Sequence, residues 1–203
     1  MEKLNNTLKH ITKTKLNFKE RLTIDNLILL KSSLSDINNV ITYETTIKSI
    51  NWIKKQFKIN ANENKSILNK IKTTKPNTNG FDIRIEFPKK IIAEVKAITP
   101  INGGNYYGAA QRNAILDDAI KLKNGKKELI NTQDYIKFIF LIDIGSKTDE
   151  AIKKLLTPAK NIRTTQINRV QRHDIVRELV NINGKITKFD KNKIYIKSIS
   201  IET

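Results

Sequence analysis

Three side chains stand where reactive groups are costly to place. Glu94 and Lys96 lie within residues 91–98 (IIAEVKAI), an otherwise mostly apolar run. Residues two apart on a strand share a face, so both point the same way. A carboxylate in the middle of a sheet is expensive unless it is paired or bound to a cation. Asp82 sits near the start of the preceding run, 81–87 (FDIRIEF), which alternates apolar and polar. With Pro88-Lys89-Lys90 as the turn, Phe87 faces Ile91 and Asp82 falls opposite Lys96. Opposed residues on paired strands share a face, so all three groups converge. Two carboxylates suit a hard cation such as Mg²⁺, which takes oxygen ligands and keeps several waters. A lysine beside that ion positions a water or helps deprotonate it, while the ion polarises a phosphate. The plainer alternative is a surface hairpin carrying ordinary ion pairs.

The elements around this patch predict a mixed α/β fold, a central sheet with helices packed around it. Residues 22–38 read as a buried helix and 43–58 as an amphipathic one, with Ile47, Ile50, Ile53 and Phe57 at helical spacing. A short third helix is expected over 63–73, before the breaker 75–80 (KPNTNG). A Gly/Asn/Tyr loop, 100–108, leads to a helix over 109–123 that stops at Asn124-Gly125. Residues 136–144 (IKFIFLIDI) are apolar on both faces and read as a central strand. Helices follow over 148–156 and 169–180, then a terminal hairpin, 182–189 with 193–201, turning at Asp190-Lys191-Asn192.

The 203 residues suit one domain: a core over about 40–145, a helical segment over 1–39, and a basic segment over 146–203 for recognition or dimerisation. The absence of cysteine excludes disulfides, cysteine-ligated zinc, iron–sulfur clusters and thiol chemistry. The two histidines, His10 and His173, give a histidine-rich metal site or a Ser–His–Asp triad little to work with. No apolar run is long enough to span a bilayer and the first residues lack a signal-peptide core, so a cytoplasmic protein without a membrane partner is expected. The net charge of +18 points to a polyanion, most simply nucleic acid, although the abundance of Lys, Asn and Ile also fits a base-composition bias. The charge is uneven: +9 over residues 1–80, +2 over 81–149 and +7 over 150–203. Basic flanks for phosphates around a carboxylate-bearing centre are what a metal-dependent nuclease requires.

The stretch Gly80-Phe81-Asp82, followed by Glu94-Val95-Lys96, resembles the PD-(D/E)XK nuclease superfamily, most closely its type II restriction endonucleases. The segment Tyr107 to Asn113 is similar to that family's helix after the motif, and residues 136–144 to its next core strand. Phe81 stands where the motif's name has proline. The resemblance implies a restriction-endonuclease-like sheet and hydrolysis of double-stranded DNA that leaves 5′-phosphate and 3′-hydroxyl ends. It makes Asp82 and Glu94 metal ligands, with the Val95 carbonyl a third, and Lys96 the residue that activates or orients the attacking water. Mg²⁺ is the implied cofactor, with Mn²⁺ a substitute, and a homodimer the implied assembly. A structure-selective, junction-resolvase-like nuclease and a non-enzymatic nucleic-acid-binding protein are the rival readings.

Candidate DNA contacts are Tyr106 and Tyr107 in the loop, Gln111 and Arg112 on the following helix, and Arg163, Arg169 and Arg172 beyond. Arginine suits bidentate contact with guanine or phosphate. Gln111 equally suits a helix cap. Glu44 is a conceivable further carboxylate, against the commoner solvated glutamate. Asp117 and Asp118 read as solvated helix residues, and Trp52 as core.

Overall fold

The computed structural model describes residues 1–60, 80–101, 104–158, 167–184 and 186–201. The expected helix over 63–73 lies outside these residues, as do most of the breaker and Arg163. The chain divides into two compact units, Met1–Val40 and Ile41–Thr203. The helices are α1 (Glu2–Thr12), α2 (Ile24–Phe57), α3 (Ala109–Asn124), α4 (Ser146–Leu155) and α5 (Ile167–Val176). The strands are β1 (Ile83–Ile85), β2 (Ile91–Lys96), β3 (Ile136–Asp143), β4 (Leu179–Asn181) and β5 (Ile194–Ser200). Among the described residues no helix is long and apolar enough to cross a membrane.

In the first unit, buried Asn5 of α1 accepts a hydrogen bond from the Phe18 amide at 2.8 Å, which ties the following short 3₁₀ turn, Phe18–Glu20, back to the helix. The two helices expected over 22–38 and 43–58 form one, α2, because the residues between them, Asn39 to Thr42, include no glycine or proline to stop it. Its first half is not buried as expected: Ile24, Ile28, Leu29, Leu34, Ile37 and Val40 are all exposed.

The second unit is mixed α/β. Its five strands lie in the order β1-β2-β3-β5-β4. The β1–β2 pair is antiparallel, and the other pairs are parallel. One face of the sheet packs Phe138, Phe140 and Tyr195 against Ile50 and Ile53 of α2. Phe138 and Phe140 stack at 5.5 Å, and Trp52 meets both edge-on, which bears out Trp52 as a core residue. Thr45 and Ser49 are buried on the same helix and donate to the Ile41 and Thr45 carbonyls one turn back, so their hydroxyls are satisfied. The other face packs Ile92, Ile139 and Leu141 against Ile115, Leu116, Ala119 and Leu122 of α3. β3 has the expected central place, and its one charged interior residue, Lys137, donates to the Tyr135 and Lys191 carbonyls.

The expected terminal hairpin does not form. β4 ends at Asn181, and β5 enters the sheet between β3 and β4, parallel to both. The Asp190 turn exists: Asn192 donates to the Asp190 side chain at 2.8 Å and Lys193 to its carbonyl at 3.1 Å. It follows a loop rather than a strand, with Phe189 packed on Phe57, Phe138 and Tyr195. Burial of β5 beside β3 wins over a local antiparallel pairing that would leave one edge open. The segment after residue 145 therefore completes the core instead of being appended to it.

Gly125 ends α3 at φ 91°, a conformation that L side chains rarely adopt, and a Cβ there would stand 2.3 Å from the Ile130 carbonyl oxygen. Gly125→Ala is expected to destabilise the fold by about 1–3 kcal/mol, measured by denaturant unfolding, and unchanged stability would show that this turn relaxes freely.

Candidate active site

The pairing of Ile83 with Ala93 and of Ile85 with Ile91 sets the register of the β1–β2 hairpin. Continued by one residue, it sets Asp82 opposite Glu94, not opposite Lys96. The two-residue difference arises because the ladder ends at Ile85 and residues 86–90 form a longer connection than the expected three-residue turn. Glu86 is held outside the ladder by the Tyr135 hydroxyl, donating at 2.7 Å, and by Arg84 at 2.6 Å. A shift of two preserves the face. The Asp82 carboxylate accepts a hydrogen bond from the Val95 amide at 2.8 Å, which ties it to β2 beside Glu94.

Glu94 is 4% exposed, flanked by Ile139 on β3. Burial pushes its carboxyl up to about 8, the negative charge of Asp82 adds to the rise, and an ion pair with Lys126 opposes it. Lys96 is partly exposed at the end of β2, and its ammonium meets Asp118 at 2.6 Å. Asp118, expected to be solvated, is 3% exposed. It lies on the apolar stripe of α3 with Ile115, Ala119 and Leu122 and holds two ammonium groups, Lys96 and Lys121, the latter at 3.0 Å. The salt link to Asp118 raises the Lys121 ammonium above its ordinary range. Helical phase is the signal that would have found Asp118: it lies three residues from Ile115 and four from Leu122. Lys126, just past the Gly125 stop, had no such signal.

The sheet thus gathers three carboxylates and three lysines on the face that α3 covers. Among the described residues no three Asp, Glu or His side chains form a ligand cluster by themselves. Asp82 and Glu94 nevertheless fit a hard cation. Two oxygen donors, one buried and destabilised by the other's charge, gain most from a dication, whose remaining positions waters and a backbone carbonyl such as that of Val95 can fill.

The other candidates separate. Tyr106 is exposed, whereas Tyr107 is buried in the α3-side core and so is a packing residue rather than a surface contact. Burial, and then the charge of Asp143, hold the Tyr107 hydroxyl neutral well above its usual range. Gln111 caps α3: its carbonyl accepts from the Gly108 amide at 3.0 Å and its amide donates to the Thr99 carbonyl at 2.9 Å. Arg112 is partly exposed and Arg169 exposed. Arg172 closes a bidentate pair with Asp117, at 2.6 and 2.7 Å, so its fork is already engaged within the chain. Glu44 is exposed on α2.

No protein-family model, curated protein or solved structure matches the chain.

Proposed function

We propose that this chain is a Mg²⁺-dependent endonuclease of the PD-(D/E)XK superfamily, hydrolysing phosphodiester bonds of double-stranded DNA as a sequence-specific restriction-type homodimer. The observation that carries the reading is the meeting of Asp82 and Glu94 across β1 and β2, with Lys96 two residues on along the same face. A carboxylate buried within an otherwise apolar strand, as Glu94 is, with the exposed Asp82 carboxylate beside it, is costly to the fold, and a cationic ligand held between the two offsets that cost. Asp82, Glu94 and the Val95 carbonyl would hold Mg²⁺, or Mn²⁺ in its place. The chemistry such an ion supplies is polarisation of the phosphodiester and compensation of its developing charge. Lys96 orients a water by its ammonium, and Asp118 fixes the direction of that ammonium. The net charge of +18 draws the polyanion in, with Tyr106, Arg112 and Arg169 offering exposed or partly exposed contacts.

The test is incubation with a plasmid of known sequence, with and without Mg²⁺, and mapping of the ends. Discrete ends at one recurring sequence support the proposal. Cutting confined to branched DNA, or binding without cutting, overturns it in favour of a structure-selective nuclease or a non-enzymatic binder respectively.

Cutting both strands of a symmetric sequence calls for two sites related by a twofold axis. Leu27, Leu30, Leu34, Ile37 and Ile41 of α2 recur at alternating spacings of three and four, the seam of two paired helices. Leu34 is 57% and Ile37 50% exposed, and the same helix of a second copy carries the matching seam. The double substitution Leu34→Glu, Ile37→Glu is expected to turn a dimer into a monomer in sedimentation at micromolar concentration. An unchanged sedimentation coefficient would remove this seam from the assembly.

A further inference from the structure

Lys126 is the cation that the acidic pair already has. Its ammonium meets Glu94 Oε1, donates to the Gly80 carbonyl oxygen at 2.7 Å, and lies 4.9 Å from the centre of the Phe81 ring. All three contacts belong to the acidic pair or to residues just before Asp82. The lysine reaches in from a fixed base, since Lys126 and Leu129 bond to each other through both amides, at 3.0 and 2.9 Å, immediately after the Gly125 turn. Its side chain is mostly buried, so the ammonium is held against Glu94 rather than sampling solvent.

We propose that Lys126 is a resident plug of the metal site: it neutralises Glu94 while no dication is bound, and an arriving dication must take Glu94 from it. This rests on the reading of Asp82 and Glu94 as cation ligands. The Lys126 ammonium takes up part of the Glu94 carboxylate's acceptor capacity and repels an arriving dication, so whatever stabilisation Lys126 gives Glu94 is stabilisation the metal must overcome. The metal affinity of the chain is therefore set as much by this lysine as by the two acids.

Calcium is the probe, because it takes the same oxygen ligands as Mg²⁺ and needs no DNA or turnover to be detected. Its binding to the full chain is measured by titration calorimetry. Lys126→Met is expected to bind Ca²⁺ at least about tenfold tighter than the wild type, the loss of one charged hydrogen bond from the competitor's side. Lys126→Arg, which keeps a cation there, is expected to stay near the wild-type affinity. Lys126→Gln supplies a second neutral variant should Lys126→Met fold poorly, with circular dichroism confirming the fold of whichever is titrated. Equal or weaker Ca²⁺ binding by the folded neutral variants, beside measurable wild-type binding, overturns the plug and leaves the metal site standing. Absence of Ca²⁺ binding at millimolar concentration in every variant overturns the metal site itself, and the plug with it.

Discussion

Asp82→Ala, Glu94→Ala and Lys96→Ala are each expected to lower Mg²⁺-dependent cleavage by about 10³-fold or more, the scale on which removal of a charge-stabilising or proton-handling group acts. The three do different work. Loss of Asp82 or Glu94 removes an oxygen donor, so some activity should return at raised Mn²⁺ concentration. Loss of Lys96 removes the group that orients the water, so added metal should restore nothing. Lys96→Ala leaves Asp118 paired with Lys121, and its thermal unfolding should stay close to that of the wild type. Glu94→Ala strands Lys126, and Glu94→Gln is the gentler control for the fold. Cleavage within a few-fold of wild type by any of the three variants would exclude that residue from the chemistry.

The second large effect is on stability and needs no substrate. The Glu94 carboxyl has its ordinary value near 4.5 in the unfolded chain and is pushed up to about 8 by burial and by Asp82 in the folded one. Between those values the folded state keeps a proton that the unfolded state has lost. Stability from this group is therefore full below pH 4.5 and is lost as pH rises through 8. The full loss is on the order of 5 kcal/mol, of which roughly 3 falls between pH 6 and pH 9. Denaturant unfolding at pH 6 and pH 9, for the wild type and Glu94→Gln, isolates it, because other shifted groups, such as Lys137, cancel in the difference. The wild type should lose stability relative to Glu94→Gln at the higher pH, and Mg²⁺ should restore it. Parallel behaviour of the two proteins would show that Glu94 ionises without strain.

Much of this was legible in the chain itself because it depends on local periodicity. Alternation over 81–87 and the apolar runs over 91–98 and 136–144 mark strands whatever lies around them, and Asn124-Gly125 marks the end of α3. The class, a mixed sheet flanked by helices, follows from those elements. So does the shared face of Glu94 and Lys96, since strand geometry alone dictates it. Asp82 joins that face for a like reason: a hairpin register wrong by two still keeps every side chain on its proper side.

What only the tertiary structure decided depends on partners distant in sequence. Asp82 faces Glu94 rather than Lys96 because Glu86 leaves the ladder for Arg84 and Tyr135, the latter 49 residues away. Asp118 is buried because α3 lies across β2 and brings it to Lys96, and Lys126 meets Glu94 because the turn after α3 returns there. β5 pairs with β3 rather than with the segment just before it, because burying a strand between two neighbours stabilises more than a local hairpin with an open edge. A sequence displays the residues that must be apolar and those that may carry charge. Which charges meet depends on how separate elements pack, since an ion pair leaves no periodic trace along the chain.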